Sequence, residues 1–206
     1  MSYDSFATTF SNSRKNHPWP ELEYIIADMK TQNYSSILDI GCGNGRFLEE
    51  AQKLWYVATH YLGIDSSGWM IQEAQKLHPD DHFEVIWMQD LSRIQESFDT
   101  LLFLASFHHL ESQEERIEVL HYAKNLLSPS GRIYMTNWNL RDQVKYEKDY
   151  QENGDFDIKI GEFSRYYHGF TILELEELFG ETWYKIIENR IFDGGRNIVS
   201  VLELRF

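Results

Sequence analysis

Gly41, Gly43 and Gly45 stand within five residues of the stretch ILDIGCGNGRFLEEA (37–51), directly after a short apolar run. A turn so poor in side chains lets a ligand approach the backbone with no Cβ in the way. Three aspartates are spaced around it. Asp65, 24 residues after Gly41, closes a second apolar run, where an acid can accept both hydrogen bonds of a ribose diol. Asp90 follows a third run; it can accept a bond from an exocyclic adenine amine while the next backbone amide, that of Leu91, serves a ring nitrogen. Asp39 adds negative charge just before the first glycine, which suits an ammonium and a sulfonium better than a pyrophosphate. Any one of these acids alone reads equally well as a helix cap or a solvated strand tip. The spacing G-x-G-x-G also departs from the dinucleotide fingerprint G-x-G-x-x-G, which with Asp90 weighs against a nicotinamide cofactor.

The elements that position these residues alternate. SSILDI (35–40), HYLGID (60–65), FEVIWMQ (83–89), FDTLLFLAS (98–106) and GRIYMTNW (131–138) are apolar or β-rich runs, of the kind shown by parallel strands buried on both faces. NGRFLEEAQKL, SGWMIQEAQKL and SQEERIEVLHYAKNLL place apolar residues at helical spacing between them, as with Ile117, Leu120 and Leu127. Ser66 or Ser67 and Ser112 are candidate N-caps, and SPSG after Leu127 is a stop signal. ETWYKIIENRIF and NIVSVLELRF flank Asp193-Gly194-Gly195, a hairpin turn between two final strands. The expected fold is α/β: a doubly wound, mostly parallel, seven-stranded sheet ending in an antiparallel hairpin. One domain is expected over residues 1–206, with 1–34 as a helical cover and about 139–180 as an irregular insertion near the substrate site, ending in the helix TILELEELFG.

With 206 residues, 42% of them hydrophobic, the chain can bury a substantial core. No run approaches the roughly 18 apolar residues of a membrane span, and MSYDSFATTF lacks the features of a secretory signal, so a cytoplasmic location is expected. The single cysteine, Cys42, excludes an internal disulfide and a cysteine-based zinc site. It reads as a small buried residue rather than a nucleophile. Acids outnumber bases 33 to 19, a net charge of -14, so binding to a phosphate backbone would require a local basic patch or a basic partner.

ILDIGCGNG, GIDSS and MQD resemble the first three motifs of class I S-adenosylmethionine-dependent methyltransferases. The resemblance implies that S-adenosylmethionine is the cofactor. It places Asp39, Gly41, Cys42, Gly43 and Asn44 at the first motif, Asp65 and Ser66 at the second, and Asp90, Leu91 and Ala105 beyond. YDSFATTFSNSRKNHPWP, ASFHHLES and RYYHGFTILELEEL together resemble the tRNA wobble-uridine carboxyl methyltransferases, which esterify 5-carboxymethyluridine in the anticodon loop. One departure is that the expected pair of arginines after the two histidines is only Arg116, preceded by Glu115.

A carboxylate acceptor is ionised at pH 7 and needs no general base, so cationic orienters are expected instead. Arg14 and Arg165 are the candidates, with surface ion pairs as the plainer alternative. Tyr166, Tyr167 and His168 would stack on a base, or else close the core as an aromatic patch. Of His108 and His109, one faces the site and the other the core, with His108 assigned to the site; two histidines without a third ligand do not make a metal centre. Tyr3 would close over the cofactor's methionine end. tRNA is the expected acceptor, with a small molecule carrying a carboxyl or hydroxyl group as the alternative. The strand at 83–89 is expected at a sheet edge, where the family's small activator protein, or a second copy of the chain, would pair with it.

Overall fold

The computed structural model describes residues 19–160 and 163–205. Helix α1 (Pro20–Gln32) leads into β1 (Ser36–Ile40), α2 (Arg46–Lys53), β2 (His60–Asp65), α3 (Gly68–Leu77) and β3 (His82–Val85). β4 (Phe98–Leu104), α4 (Gln113–Leu126) and β5 (Leu127–Trp138) follow. A hairpin of β6 (Asp155–Ile160) and β7 (Phe163–His168), then α5 (Ile172–Glu181), β8 (Tyr184–Ile191) and β9 (Asn197–Leu204), complete the order.

The main sheet has seven strands in the order β3-β2-β1-β4-β5-β9-β8. The first five are parallel; β9 runs antiparallel between β5 and β8. Period-two alternation divides the central strands between two cores. Leu38, Ile40, Leu101 and Phe103 pack with Val119, Leu120 and Leu175 under α4 and α5. Ile37, Leu102 and Leu104 pack with Ile25, Phe47 and Ala74 under α1, α2 and α3. Both sheet faces are therefore covered by helices, the doubly wound arrangement. α1 is fixed to the sheet by Arg132, whose guanidinium pairs with Asp28 (2.7 Å) and Glu203 (2.8 Å).

Local chemistry sets the helix starts. Ser67 Oγ accepts from Met70 N (3.2 Å) at the start of α3. Ser112 with Glu115, and Thr171 with Glu174, form capping boxes on α4 and α5, each satisfying two amide donors that the helix leaves over. Asp193-Gly194-Gly195 makes the turn between β8 and β9.

Three expectations change. The strand expected at 83–89 ends at Val85, because its partner β2 ends at Asp65 and only the Ile86 N to Asp65 O bond (3.1 Å) extends the pairing. Ile86 then turns inward, and Met88–Arg93 coil into a 3-10 helix. SPSG does not precede β5 but bulges within it, since Leu127 pairs with Phe98 and Arg132 with Thr100. The segment expected to be irregular at 139–180 contains the β6–β7 hairpin, with Phe156 and Ile158 buried on one face. Among the described residues, no helix is long and apolar enough to cross a membrane.

Candidate active site

The carboxyl ends of β1, β2 and β4 open on a cavity of about 460 Å³, a size ordinary for a small-molecule site. Its floor is the glycine turn. Gly41 N and Cys42 N both donate to Ile64 O (2.8 and 2.9 Å), which fixes the turn on β2. Gly41 has φ +78°, and a Cβ there would lie 2.4 Å from Ser106 Cβ, so glycine is demanded by packing. Gly43, at φ +57°, lines the cavity with nothing within 4 Å of a Cβ position; here the glycine leaves space for a ligand. The turn is braced from β2 by Asp65, which accepts from Gly43 N (3.0 Å) and from Ser67 N (2.9 Å).

Asp39 also lines the cavity and is buried, accepting from Tyr61 OH (2.9 Å). Burial pushes its carboxyl up to about 7, against the Tyr61 hydrogen bond and with the added charge of Asp65. Burial, with Asp39 and Asp65 close by, likewise holds the Cys42 thiol well above its ordinary range, unlike the activated thiolate of a nucleophile. Asn44, Ser66 and Ala105 complete this wall. Ala105 has φ +54°, a left-handed conformation costly for a residue with a Cβ, and its amide donates to Thr136 O (3.0 Å).

The loop after β4 and strand β7 also line the cavity, through His109, Leu110, Glu111, Ser164, Arg165 and Tyr166. Burial lowers the Arg165 guanidinium to about 10, opposed by Tyr167, so it is cationic at pH 7. It lies 5.5 Å from the centre of the Tyr167 ring. Tyr166 OH donates to Asp155 Oδ1 (2.7 Å) and accepts from Arg116 Nη2 (3.0 Å). Tyr167 is buried and stacked on Trp138 (4.9 Å), and His168 is buried too. The expected aromatic trio therefore divides, with Tyr166 in the cavity wall and the other two inside.

The assigned histidine is the wrong member of its pair. His108 is fully buried, its Nδ1 accepting from Trp138 N (3.3 Å), while His109 lines the cavity. They belong to the 3-10 turn Phe107–His109, which points successive side chains about 120° apart. Asp90 and Leu91 do not line the cavity either. The Met88–Arg93 turn leaves Asp90 exposed and buries the Leu91 side chain in the core, and Gln89 takes the wall position. Tyr3 and Arg14 lie outside the described residues. Several lining residues are not predicted from the sequence, among them Gln89, Trp19 and Arg46, whose guanidinium sits 4.6 Å over the Trp19 ring.

Residues 37–131 match the family described as "Methyltransferase domain". The chain carries a methyltransferase domain. Its cofactor is S-adenosylmethionine. The chain is 29% identical over 159 residues to the tRNA (carboxymethyluridine(34)-5-O)-methyltransferase of Saccharomyces cerevisiae, covering 77% of this chain and 53% of that protein. The chain thus spans about half the length of that relative. The enzyme of the same name in Schizosaccharomyces pombe is 24% identical over 178 residues, 86% of this chain and 73% of its own. In fold, the chain is similar to a solved S-adenosylmethionine-dependent methyltransferase from Clostridium acetobutylicum, with TM-score 0.75 at 14% identity and 99% coverage of both chains.

The methyltransferase cavity suits this cofactor on its own evidence. The Gly43 wall is bare, Asp65 puts a second carboxylate beside it, and Asp39 is a buried acid whose ionisation a cationic ligand would favour. The Asp39 carboxyl, raised in the folded chain, contributes stability below about pH 4 that is lost as pH rises through about 7. A sulfonium and an ammonium favour its charged form. Binding of S-adenosylmethionine at pH 7 is therefore expected to release up to about half a proton, and Asp39→Asn to abolish the release. Calorimetry in two buffers of different ionisation enthalpy reads this directly; equal proton release by the variant would remove Asp39 from the linkage.

Proposed function

We propose that this methyltransferase esterifies the carboxylate of a 5-carboxymethyl-type uridine at the tRNA wobble position. The observation that carries the reading is Arg165, a partly buried cation that lines the same cavity as the glycine turn. A guanidinium forks a carboxylate or phosphate bidentately. The similarity to the named tRNA enzymes supports the same acceptor.

S-adenosylmethionine, when bound, supplies a methyl group on an already activated sulfonium leaving group. A carboxylate acceptor is ionised at neutral pH, so the chain has no proton to remove. Its contribution is alignment: Asp65 and the Gly41–Gly43 turn would hold the cofactor, and Arg165 would turn one acceptor oxygen toward it. Tyr166 and His109 would border the acceptor base.

The net charge of -14 favours a second reading, a small carboxylic or hydroxylic metabolite with no phosphate backbone. The tRNA reading would gain from a partner supplying positive surface. Edge strand β3 carries exposed Val85, followed by exposed Trp87, and a small activator protein or a second copy of this chain pairing there remains part of the proposal. A cytoplasmic workplace goes with it. Incubation with labelled S-adenosylmethionine and either total tRNA or a metabolite extract tests the acceptor class. Label in the tRNA fraction is expected; label only in metabolites would overturn the RNA reading.

A further inference from the structure

Next to Tyr166 lies a chain of charged and polar groups, centred on buried His168 and Arg116, that the reaction as described does not use. His168 is 3% exposed. Its Nδ1 lies 2.7 Å from Asp155 Oδ1 and its Nε2 lies 2.5 Å from Glu174 Oε1. A neutral imidazole has one N–H and one lone pair, so it satisfies one carboxylate and turns a lone pair on the other; only the imidazolium donates to both. We propose that His168 is a positioning residue of the acceptor wall, held as an imidazolium clamp between Asp155 and Glu174. The proposal rests on the reading that the methyl acceptor sits against Arg165 and Tyr166.

The clamp joins separate elements. Glu174 Oε2 accepts from Thr171 N (3.4 Å) in the capping box of α5. Asp155 on β6 accepts from both His168 and Tyr166 OH on β7. Tyr166 OH in turn accepts from Arg116 of α4, whose Nη2 also donates to Leu110 O (3.0 Å) in the loop lining the cavity. Tyr166 O is 3.1 Å from His109 Nδ1. Two stretches of the cavity wall, 109–111 and 164–166, are thereby tied to one buried imidazole.

The charged and titratable groups around it are Asp155, Glu174, Tyr166, Arg116 and Arg141. The Arg141 guanidinium and the His168 ring both flank Gly154, where a Cβ would lie 2.2 Å from Arg141 Nη2 and 3.0 Å from His168 Cε1. Burial opposes ionisation of Asp155 and Glu174, yet their hydrogen bonds to His168 and their other partners hold both below the ordinary carboxylate range. Loss of either of the two bonds to His168 would release the Tyr166 side of the network or the cap of α5.

Two measurements test this. In long-range nitrogen–proton NMR spectra of the labelled full chain at neutral pH, with His168 assigned through its contact with Phe170 (ring centres 4.6 Å apart), both ring nitrogens are expected to be protonated. A neutral tautomer there overturns the clamp, whatever the acceptor. In transfer assays with total tRNA at one fixed pH, Glu174→Gln, which keeps the side chain's size but removes the charge facing the imidazolium, should raise the KM for acceptor about tenfold at constant S-adenosylmethionine affinity. An unchanged KM in the folded variant, or a parallel loss of cofactor affinity, contradicts a positioning role. Failure of wild-type protein to methylate tRNA would overturn the proposed acceptor while leaving the NMR result to decide the clamp.

Discussion

Asp65→Ala is expected to weaken S-adenosylmethionine binding by about 10- to 150-fold, the loss of charge-assisted hydrogen bonds of about 1.5 to 3 kcal/mol. The effect has two sources. The carboxylate would accept from the ribose hydroxyls, and it already holds the amides of Gly43 and Ser67. Removing it loosens the turn that shapes the cofactor wall and leaves the buried Ser67 N–H without that acceptor. Asp65→Asn keeps one acceptor oxygen and should lose less. Calorimetric titration of the folded variants reads both; an unchanged dissociation constant for Asp65→Ala would remove this residue from the cofactor site.

Arg165→Lys is expected to lower methyl transfer about tenfold or more while cofactor affinity stays within about twofold of wild type. Lysine keeps the charge but loses the planar fork and the packing over Tyr167. The drop should appear in kcat/KM for the acceptor. Equal loss of cofactor binding would move Arg165 to the cofactor site. No loss of either would leave it a packing residue of the β6–β7 hairpin.

The parts of the site legible in sequence were those that backbone geometry dictates. Gly41 and Gly43 were readable because a tight strand-to-helix turn, at positive φ, favours glycine at both, and Asp65 because a parallel strand must end where the cavity opens. Which of His108 and His109 faces that cavity was not legible: the two differ only by the phase of a one-turn 3-10 helix, set by the packing of His108 on Trp138 and Tyr167. The same phase uncertainty exchanged Asp90 for Gln89. Other features carried signals that went unread. Phe156 and Ile158 alternate with Asp155, Asp157 and Lys159, a period-two strand pattern obscured by its charge. Arg46 opens α2, where a cation opposes the helix dipole. Such a local conflict marks a position held for something other than helix stability, and Arg46 does line the cavity. Asp155, Glu174 and Arg116 could not be joined to His168 from sequence, since they lie on different elements.

The most direct test of methyl transfer to a carboxylate is the chemistry of the product. tRNA is incubated with the enzyme and S-adenosylmethionine, digested to nucleosides, and analysed by mass spectrometry before and after mild alkali. The expected result is a uridine derivative heavier by one methylene that reverts to its carboxymethyl parent on alkaline treatment, as an ester must. A methyl group that survives alkali on a ring nitrogen, a ring carbon or the ribose would contradict carboxylate methylation.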